Sequence, residues 1–335
     1  MTSTTRPASR AGVYDEEVRG FVVLVLVAAC YDPSVQSGAP CSANGTCPST
    51  LECTGGYCVP PGTVADAHDD GAQTDDVMIV LDSMIDAPPS MGWSQPIALV
   101  GVNSTSKDSD PTFTNDRLEL YFVSTRAGGV GNEDIWYTKR TSVTAAWAAP
   151  INVTAVNSTG DDSCVEVSAD GMQIWFASTR SGSGDIYTAT QTGLAWGTPT
   201  PVTELNTTGI ESGIGVSPDG LIAIIDRGTL SARTLHIASR ANTAAAFSTP
   251  VPFDSINSMS NTPSSPSLTN NADAIYFHAD STRNIYVVKK MGLTWSAPQL
   301  VTDVSTPTRD AAPFVTQSDN YMMFEHDNQL YETSR

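Results

Sequence analysis

The sequence is poor in basic residues and has no long hydrophobic run. It sets 17 Lys and Arg residues against 36 Asp and Glu residues in 335 positions, which gives a formal net charge of −19. Because nucleic acids and anionic membrane surfaces repel so acidic a chain, we expect neither as a direct partner. The longest apolar run, Phe21 to Ala29, has nine residues, whereas a helix that crosses a bilayer needs about 20.

Motifs of several enzyme classes are also missing. The chain has neither the Gly-x-Ser-x-Gly elbow of a serine hydrolase nor a phosphate-binding Walker loop. Cys164 stands alone on a predicted strand, where we expect a buried small hydrophobe and not a nucleophile. We therefore expect no catalytic residue, no metal site and no cofactor. The four histidines are scattered over an acidic stretch and separate predicted strands, namely His68, His236, His278 and His326.

The short apolar run has the pattern of an export signal. Arg19 precedes it, and a Val-Ala-Ala-Cys sequence closes it at Cys30. This ending resembles a bacterial lipobox, in which the cysteine is acylated and becomes the new N-terminus; the alternative is an ordinary cleavage site that contains a cysteine. We predict a signal peptide over residues 1–29 and a lipidated N-terminus with a spacer over residues 30–40. An Asp directly after the cysteine is linked to retention in the inner membrane, and Tyr31 stands there instead. We therefore predict an outer-membrane lipoprotein that faces the periplasm or the cell surface.

Four cysteines lie close together after the spacer, namely Cys41, Cys47, Cys53 and Cys58. A zinc site usually has two to four residues within each ligand pair, whereas here gaps of five, five and four residues follow one another. In an exported chain this Gly-, Pro- and Ser-rich context favours two disulfides that staple a small module over residues 41–58, with three connectivities open.

The next stretch, residues 59–91, is rich in Asp and Pro. This composition predicts an acidic disordered linker.

From Trp93 onward, one pattern recurs at intervals of 54, 49, 51 and 48 residues. Each mark is an aromatic residue followed three positions later by Pro. Between marks lie three short segments that are rich in β-branched and aromatic residues and bounded by Gly, Asn and Asp, which is typical of strands. A strand-only period of this length predicts a propeller, a solenoid or an array. The aromatic marks are Trp93, Trp147, Trp196, Phe247 and Trp295.

The phase of the repeat predicts a closed ring. The repeat region begins with a lone fourth strand, Trp93 to Val100, and ends after a third strand at Leu330 and Tyr331. The N-terminal strand can therefore complete the last blade, which protects the edge strands and joins the chain ends. We predict an all-β fold, a five-bladed β-propeller over residues 92–335 with ring closure by an N-terminal strand, preceded by the small disulfide-rich module.

Three motifs in the repeat resemble the WD40-like propeller repeat of the TolB type. They are a Ser-Pro-Asp-Gly turn that ends at Gly220, a Ser-Thr-Arg sequence that ends at Arg126 and again at Arg180, and an Asp-Ile-aromatic sequence that ends at Trp136. The resemblance covers about 240 residues and weakens in the third and fifth blades. It implies a propeller with a binding role in the cell envelope and names no partner. The additional α/β domain of TolB has no counterpart here.

Acidic residues occupy equivalent positions at the start of four first strands, namely Asp108, Asp162, Glu211 and Asp310, whereas the fourth blade has Pro263 there. First strands line the central channel of a propeller, so these acids could form a partial ring that binds a cation or a polar ligand. The alternative, which their repetition favours, is a structural role beside backbone groups or basic residues at the end of the second strand. The basic candidates are Arg126, Arg180, Arg227 and Arg283.

We predict a monomeric, non-enzymatic binding platform whose partner is an envelope protein or a polysaccharide and which meets the membrane only through its lipid anchor. One alternative is a secreted glycoside hydrolase that uses Asp108, Asp162 and Glu211, since glycosidases need an acid beside a base or nucleophile. Another alternative is a cation-binding structural propeller. Against catalysis, the acids sit at a repeated position, whereas catalytic groups are placed individually and have separated pKa values.

Overall fold

The chain divides into two units, residues 1–81 and residues 82–335. The computed structural model describes residue 47, residues 52–54 and 57–59, and residues 91–335 except 194, 230, 260–261 and 280–282. The predicted signal peptide, the lipidation site at Cys30, Cys41 and most of the linker lie outside the described residues.

In the first unit, strands β1 (Glu52–Thr54) and β2 (Tyr57–Val59) form an antiparallel hairpin. Its register sets Cys53 opposite Cys58. The disulfide pairing among the four cysteines stays a prediction.

The second unit is built almost entirely of short strands. Their bounds are β3 (Ile97–Ala98), β4 (Asp108–Phe113), β5 (Glu119–Ser124), β6 (Asp134–Lys139), β7 (Ile151–Asn152), β8 (Asp162–Val167), β9 (Gln173–Ser178), β10 (Asp185–Thr192), β11 (Ala195–Trp196), β12 (Thr200–Pro201), β13 (Glu211–Val216), β14 (Ile222–Thr229), β15 (Ala232–Ser239), β16 (Val251–Pro252), β17 (Ser264–Leu268), β18 (Ala274–Ala279), β19 (Asn284–Met291), β20 (Thr294–Trp295), β21 (Gln299–Leu300), β22 (Asp310–Val315), β23 (Tyr321–His326) and β24 (Gln329–Ser334).

These strands form five antiparallel sheets, which are the five blades of a β-propeller. Blade one is β4–β5–β6–β7, blade three is β13–β14–β15–β16, and blade five is β22–β23–β24–β3. Blade two is β8–β9–β10 with β11 and β12 both on β10, and blade four is β17–β18–β19 with β20 and β21 both on β19. The predicted fold class is confirmed, as is the propeller that the resemblance implied.

The ring closes as the phase of the repeat predicted, because β3 pairs with β24 and so completes blade five. Ala98 lies opposite Tyr331, and the Asn103 side chain both donates to and accepts from the backbone of Leu330, at 2.9 and 2.8 Å. The closing strand, Ile97–Ala98, is shorter than the stretch predicted from Trp93 to Val100.

The core is divided into five apolar clusters, one between each pair of neighbouring blades. Burial of one large side chain in such a cluster stabilises the fold by about 1.5–3 kcal/mol. Since the last cluster joins blade five to blade one, the packing also closes the ring. Representative pairs, in blade order, are Tyr121 with Val165, Trp175 with Ile214, Ile224 with Leu268, Tyr276 with Val315, and Tyr321 with Phe113.

Each first strand carries a β-bulge near its third residue, which bends the strand and re-aims that residue. Four of these residues have a positive φ between 47° and 48° although none is Gly, namely Asp110, Cys164, Ser265 and Ala312. Blade three has Gly213 at this position.

Among the described residues, helix is confined to two short segments, the helix α1 (Asp254–Asn257) and a 3₁₀ turn at Asn270–Ala272. Within the described part of the chain, neither has the length or hydropathy that a membrane crossing requires.

Candidate functional site

The candidate site is the central channel, which the five first strands line. Neighbouring first strands contact one another around the ring, from β4 through β8, β13, β17 and β22 back to β4. We call the end where these strands begin the acid end. The funnel is the opposite end, lined by their last residues, Phe113, Val167, Val216, Leu268 and Val315, together with Glu166 and Phe314.

At the acid end, Asp108 is fully buried and its carboxylate is engaged on both oxygens. Oδ1 lies 2.5 Å from Nη2 of Arg126. Oδ2 accepts hydrogen bonds from the backbone N–H and the hydroxyl of Ser104, at 2.6 and 2.9 Å. Arg126 also donates to the carbonyl of Val102. The carboxylate therefore fastens the loop that enters blade one to the second strand of that blade.

Blade two repeats the arrangement of blade one. Asp162 lies 2.6 Å from Nη2 of Arg180, and it accepts from the N–H and the hydroxyl of Ser158, at 2.5 and 2.9 Å.

Blade three keeps the arrangement with a longer acid. Glu211 lies 3.2 Å from Nε of Arg227 and accepts from the N–H and hydroxyl of Thr207, at 3.0 and 2.7 Å.

In blade five the partner differs from the predicted one. Asp310 lies 2.8 Å from Nδ1 of His326 and accepts from Thr306. Among the described residues, Arg283 makes no ion pair with any of the four acids. The physical reason is that blade four has Pro263 at the acid position, which leaves its arginine without a carboxylate. The pKa of Arg283 is lowered mainly by burial and, to a smaller extent, by repulsion from Arg309.

These contacts decide what the four acids can do. Each carboxylate is fully buried and bonded to protein groups, whereas a general acid or base must reach the substrate directly or through one water. Within the described residues, no group of three or more His, Cys, Asp or Glu side chains has the arrangement of a metal site. The geometry therefore supports the structural role for Asp108, Asp162, Glu211 and Asp310.

Further ionisable groups lie on the second strands, beside the first strands that line the channel. The second-strand position held by Val123 in blade one and Ala177 in blade two holds Asp226, His278 and Glu325 in the other three blades. In the sequence, these three residues can be recognised because they are polar at a repeat position that is apolar in blades one and two. Each of the three polar residues is of a different type, so this position does not repeat from blade to blade.

Glu325 is 1% exposed, and burial raises its pKa to about 7. The Arg309 guanidinium, which donates to Oε2 at 2.9 Å, opposes this rise, and the charge of Asp110 adds to it. Oε1 has no hydrogen-bond partner among the described residues.

Asp226 is fully buried, and burial raises its pKa too. The opposing influences are Arg233 at 3.9 Å and hydrogen bonds from Ser264 and Ser265.

Further along the channel, a small void of about 20 Å³ is lined by Asp110, Cys164, Ser265 and Ala312, among others. The Cys164 thiol lies 3.6 Å from Oδ1 of Asp110. Burial, reinforced by the Asp110 charge, raises the pKa of this thiol well above its usual value. Because only the thiolate is a strong nucleophile, this raised pKa disfavours a nucleophilic role for Cys164. It is partly exposed to the channel and also packs against the apolar cluster between blades two and three.

The funnel has a cavity volume of about 50 Å³ and is open to solvent. Its walls are mostly apolar, with Phe113 and Phe314 in a T-shaped contact at 4.7 Å between ring centroids. Glu166 is the one ionisable residue in its lining. Burial raises the pKa of Glu166 well above its usual value, against the influence of a hydrogen bond from the Val216 N–H.

Glu166 stands at a position that each blade fills differently. Thr112 and Ser267 accept a hydrogen bond from the backbone of the next first strand, at 3.1 Å from Val167 and 3.0 Å from Val315. Alignment of the five first strands in the sequence shows a single carboxyl at this position. The five residues are Thr112, Glu166, Gly215, Ser267 and Phe314.

No protein-family model and no curated protein matches the chain. Among solved structures, the chain is similar to TolB from Acinetobacter baumannii, with 13% identity and a TM-score of 0.47 over 70% of this chain and 56% of that one. It is also similar to a thermostable family-43 glycoside hydrolase, with 10% identity and a TM-score of 0.49 over 71% and 91% of the two chains. A third similar structure is the periplasmic gluconolactonase PpgL of Pseudomonas aeruginosa, with 15% identity and a TM-score of 0.39 over 64% of each chain. At these TM-scores the likenesses support no conclusion, and the fold assignment rests on the strand pairing.

Proposed function

We propose that the protein is an exported cell-envelope lipoprotein whose propeller binds a ligand or partner at the funnel and catalyses no reaction. The observation that carries the proposal is the funnel itself. A concave, mostly apolar pocket with a small number of polar groups is the usual form of a ligand-binding site. At the acid end, by contrast, the repeated carboxylates are already bonded to protein groups.

A crosslinking experiment tests the binding role. A photoreactive benzoylphenylalanine replaces Gln317, which lines the funnel, and in a control variant it replaces the exposed Thr105 near the acid end. After illumination in envelope membranes, we expect a discrete crosslinked species from the Gln317 variant alone, with an envelope protein or a polysaccharide as the captured partner. Equal crosslinking from both positions, or none from Gln317, would overturn the proposal that the funnel binds an envelope partner.

The envelope location rests on the sequence, namely the apolar run before Cys30 and the lipobox that it completes. Since one acyl chain binds a membrane reversibly and two or more anchor stably, the acylated protein should stay in the membrane fraction. Cys30→Ser should release the protein into the soluble fraction, whereas the control Cys164→Ser should remain anchored. A membrane-bound Cys30→Ser variant would contradict the anchor.

The glycoside hydrolase alternative is tested directly. Purified protein incubated with arabinan and related polysaccharides should release no sugar, because Glu211 is held by Arg227 and Thr207. Hydrolysis that is abolished by Glu211→Gln would replace the binding role with a catalytic one.

A further inference from the structure

Glu166 is the ionisable group in the funnel lining, whose other polar residues are Asn115, Ser168, Ser217, Thr316 and Gln317. Glu166 is 6% exposed, and no Asp, Glu, His, Lys or Arg besides it lines the funnel. The void on the other side of Glu166 is lined by Asp110 and Cys164, and neither contributes to its pKa. No charged partner among the described residues therefore stabilises a carboxylate at this position.

Without such a partner, burial favours the protonated form of Glu166. Its pKa is raised by burial alone, and the Val216 N–H is the one group that opposes this rise. A protonated carboxyl has one O–H donor, whereas a carboxylate only accepts hydrogen bonds. In its protonated form, Glu166 gives the mostly apolar funnel a hydrogen-bond donor that has no charge.

The remaining walls fit an apolar body. Phe314 is half-buried and presents part of its ring to the funnel, where its T-shaped contact with Phe113 fixes its orientation. Trp175 and Leu268 complete the apolar lining. The cavity itself is small, about 50 Å³, and opens to solvent, so it takes one end of a ligand whose remainder lies outside.

From this geometry we propose that the funnel binds an uncharged small molecule with an apolar body and a hydrogen-bond acceptor, such as a ketone, ester or amide, and that Glu166 donates the hydrogen bond. The inference rests on the proposed function, because it specifies the ligand class of the same funnel. Charged ligands are disfavoured, since a buried charge without a partner costs several kcal/mol.

The test uses the full chain and the fluorescent probe prodan, a neutral naphthyl ketone, with a naphthyl carboxylate of similar size as the charged control. We expect prodan to bind with a blue-shifted emission and the carboxylate to bind at least about tenfold more weakly, since tenfold corresponds to about 1.4 kcal/mol. Prodan affinity should fall as the pH rises through the pKa of Glu166, because ionisation removes the donor. Equal binding of the ketone and the carboxylate would overturn the inference.

Two variants isolate the role of Glu166. Glu166→Gln keeps a donor, so it should bind prodan at every pH and abolish the pH dependence. Glu166→Leu removes the donor and should lower prodan affinity about tenfold, the value of one buried hydrogen bond. Circular dichroism melts verify that both variants are folded. Unchanged prodan affinity in a folded Glu166→Leu variant would refute the role of Glu166.

The failures of the two proposals are distinguishable. If prodan does not bind while the Gln317 variant still crosslinks an envelope partner, the ligand class is wrong and the binding role stands. If prodan binds as expected but no crosslink forms, the ligand class stands and the envelope partner is wrong.

Discussion

Asp108 and Arg126 form an ion pair of 2.5 Å between Oδ1 and Nη2, in which the carboxylate has no solvent-exposed surface. The guanidinium also lies over the rings of Phe122 and Trp136, at 4.8 and 5.2 Å from their centroids. The arginine thus joins the entry loop of blade one to its second and third strands. Because blades two and three repeat the pairing, it is part of how a blade is built.

Removal of the buried carboxylate should destabilise the propeller strongly. Asp108→Ala leaves Arg126 and the N–H of Ser104 without their acceptor, and loss of one partner of a buried pair costs about 3–5 kcal/mol. Urea unfolding followed by tryptophan fluorescence measures this loss. The control is Glu133→Gln, which removes a half-exposed ion pair with Lys107 and should cost about 1 kcal/mol or less. Equal losses in the two variants would contradict the special role of the buried pair.

Ring closure predicts a large effect for a small deletion. A variant that lacks residues 93–100 loses the buried side chains of Trp93 and Leu99 and leaves the edge of β24 unpaired. Loss of the two side chains alone should cost roughly 5 kcal/mol or more. We expect a lower urea midpoint and a less cooperative transition, because the last blade loses its fourth strand.

The matched control for this deletion is Ile97→Ser. Ile97 belongs to the closing strand, but its side chain is 64% exposed, so its replacement should change stability by less than about 0.5 kcal/mol. A truncated protein that unfolds as late and as cooperatively as the full chain would show that the ring does not depend on this strand.

Much of the fold was predictable because each blade repeats the same local rules. The aromatic marks fix the period, the Asp-Gly turns fix the hairpins, and the phase of the strands fixes the pairing of β3 with β24. Even the proximity of Asp108 to Arg126 follows from alignment of one blade with the next. These features repeat, so each blade supports the interpretation of the others.

The rest was hidden because it does not repeat. The pairing expected for Arg283 fails where Pro263 replaces an acid, and Asp310 takes His326 instead. Glu166 follows the bulge of a first strand, and Glu325 lies on a second strand opposite the first-strand residue Ala311. No sequence period encodes that geometry, so their burial and raised pKa values emerge only from the assembled ring.

Two glycines of blade three should differ sharply in their tolerance of a side chain. A Cβ on Gly215 would lie 2.0 Å from the carbonyl oxygen of Pro266 in the next blade, so the backbone must move. A Cβ on Gly213 would lie 3.0 Å from Oδ2 of Asp226 and 3.4 Å from the thiol of Cys164, which are side-chain atoms. We expect Gly215→Ala to cost about 3 kcal/mol or more and Gly213→Ala about 1 kcal/mol, in line with overpacked cores. Thermal melts rank the two variants, and the reverse order would show that the first strands pack less tightly here.

The raised pKa of Glu325 predicts how the stability of the folded protein depends on pH. Its pKa of about 7 in the folded protein exceeds the usual 4.5, so between these values the folded state holds more protons than the unfolded state. Stability is then fully present below about pH 4.5 and falls as the pH rises towards 7, by roughly 3 kcal/mol at 1.36 kcal/mol per pKa unit.

Glu325→Gln should flatten this fall, because the amide cannot ionise. Burial also raises the pKa of Glu166 and Asp226, so part of the slope should remain. Urea midpoints at intervals of pH measure the slope, and Glu204→Gln, which replaces a half-buried carboxyl away from the channel, should leave it as in the wild type. An unchanged slope in Glu325→Gln would mean that the carboxyl is already ionised in the folded ring, where Arg309 would then outweigh the cost of burial.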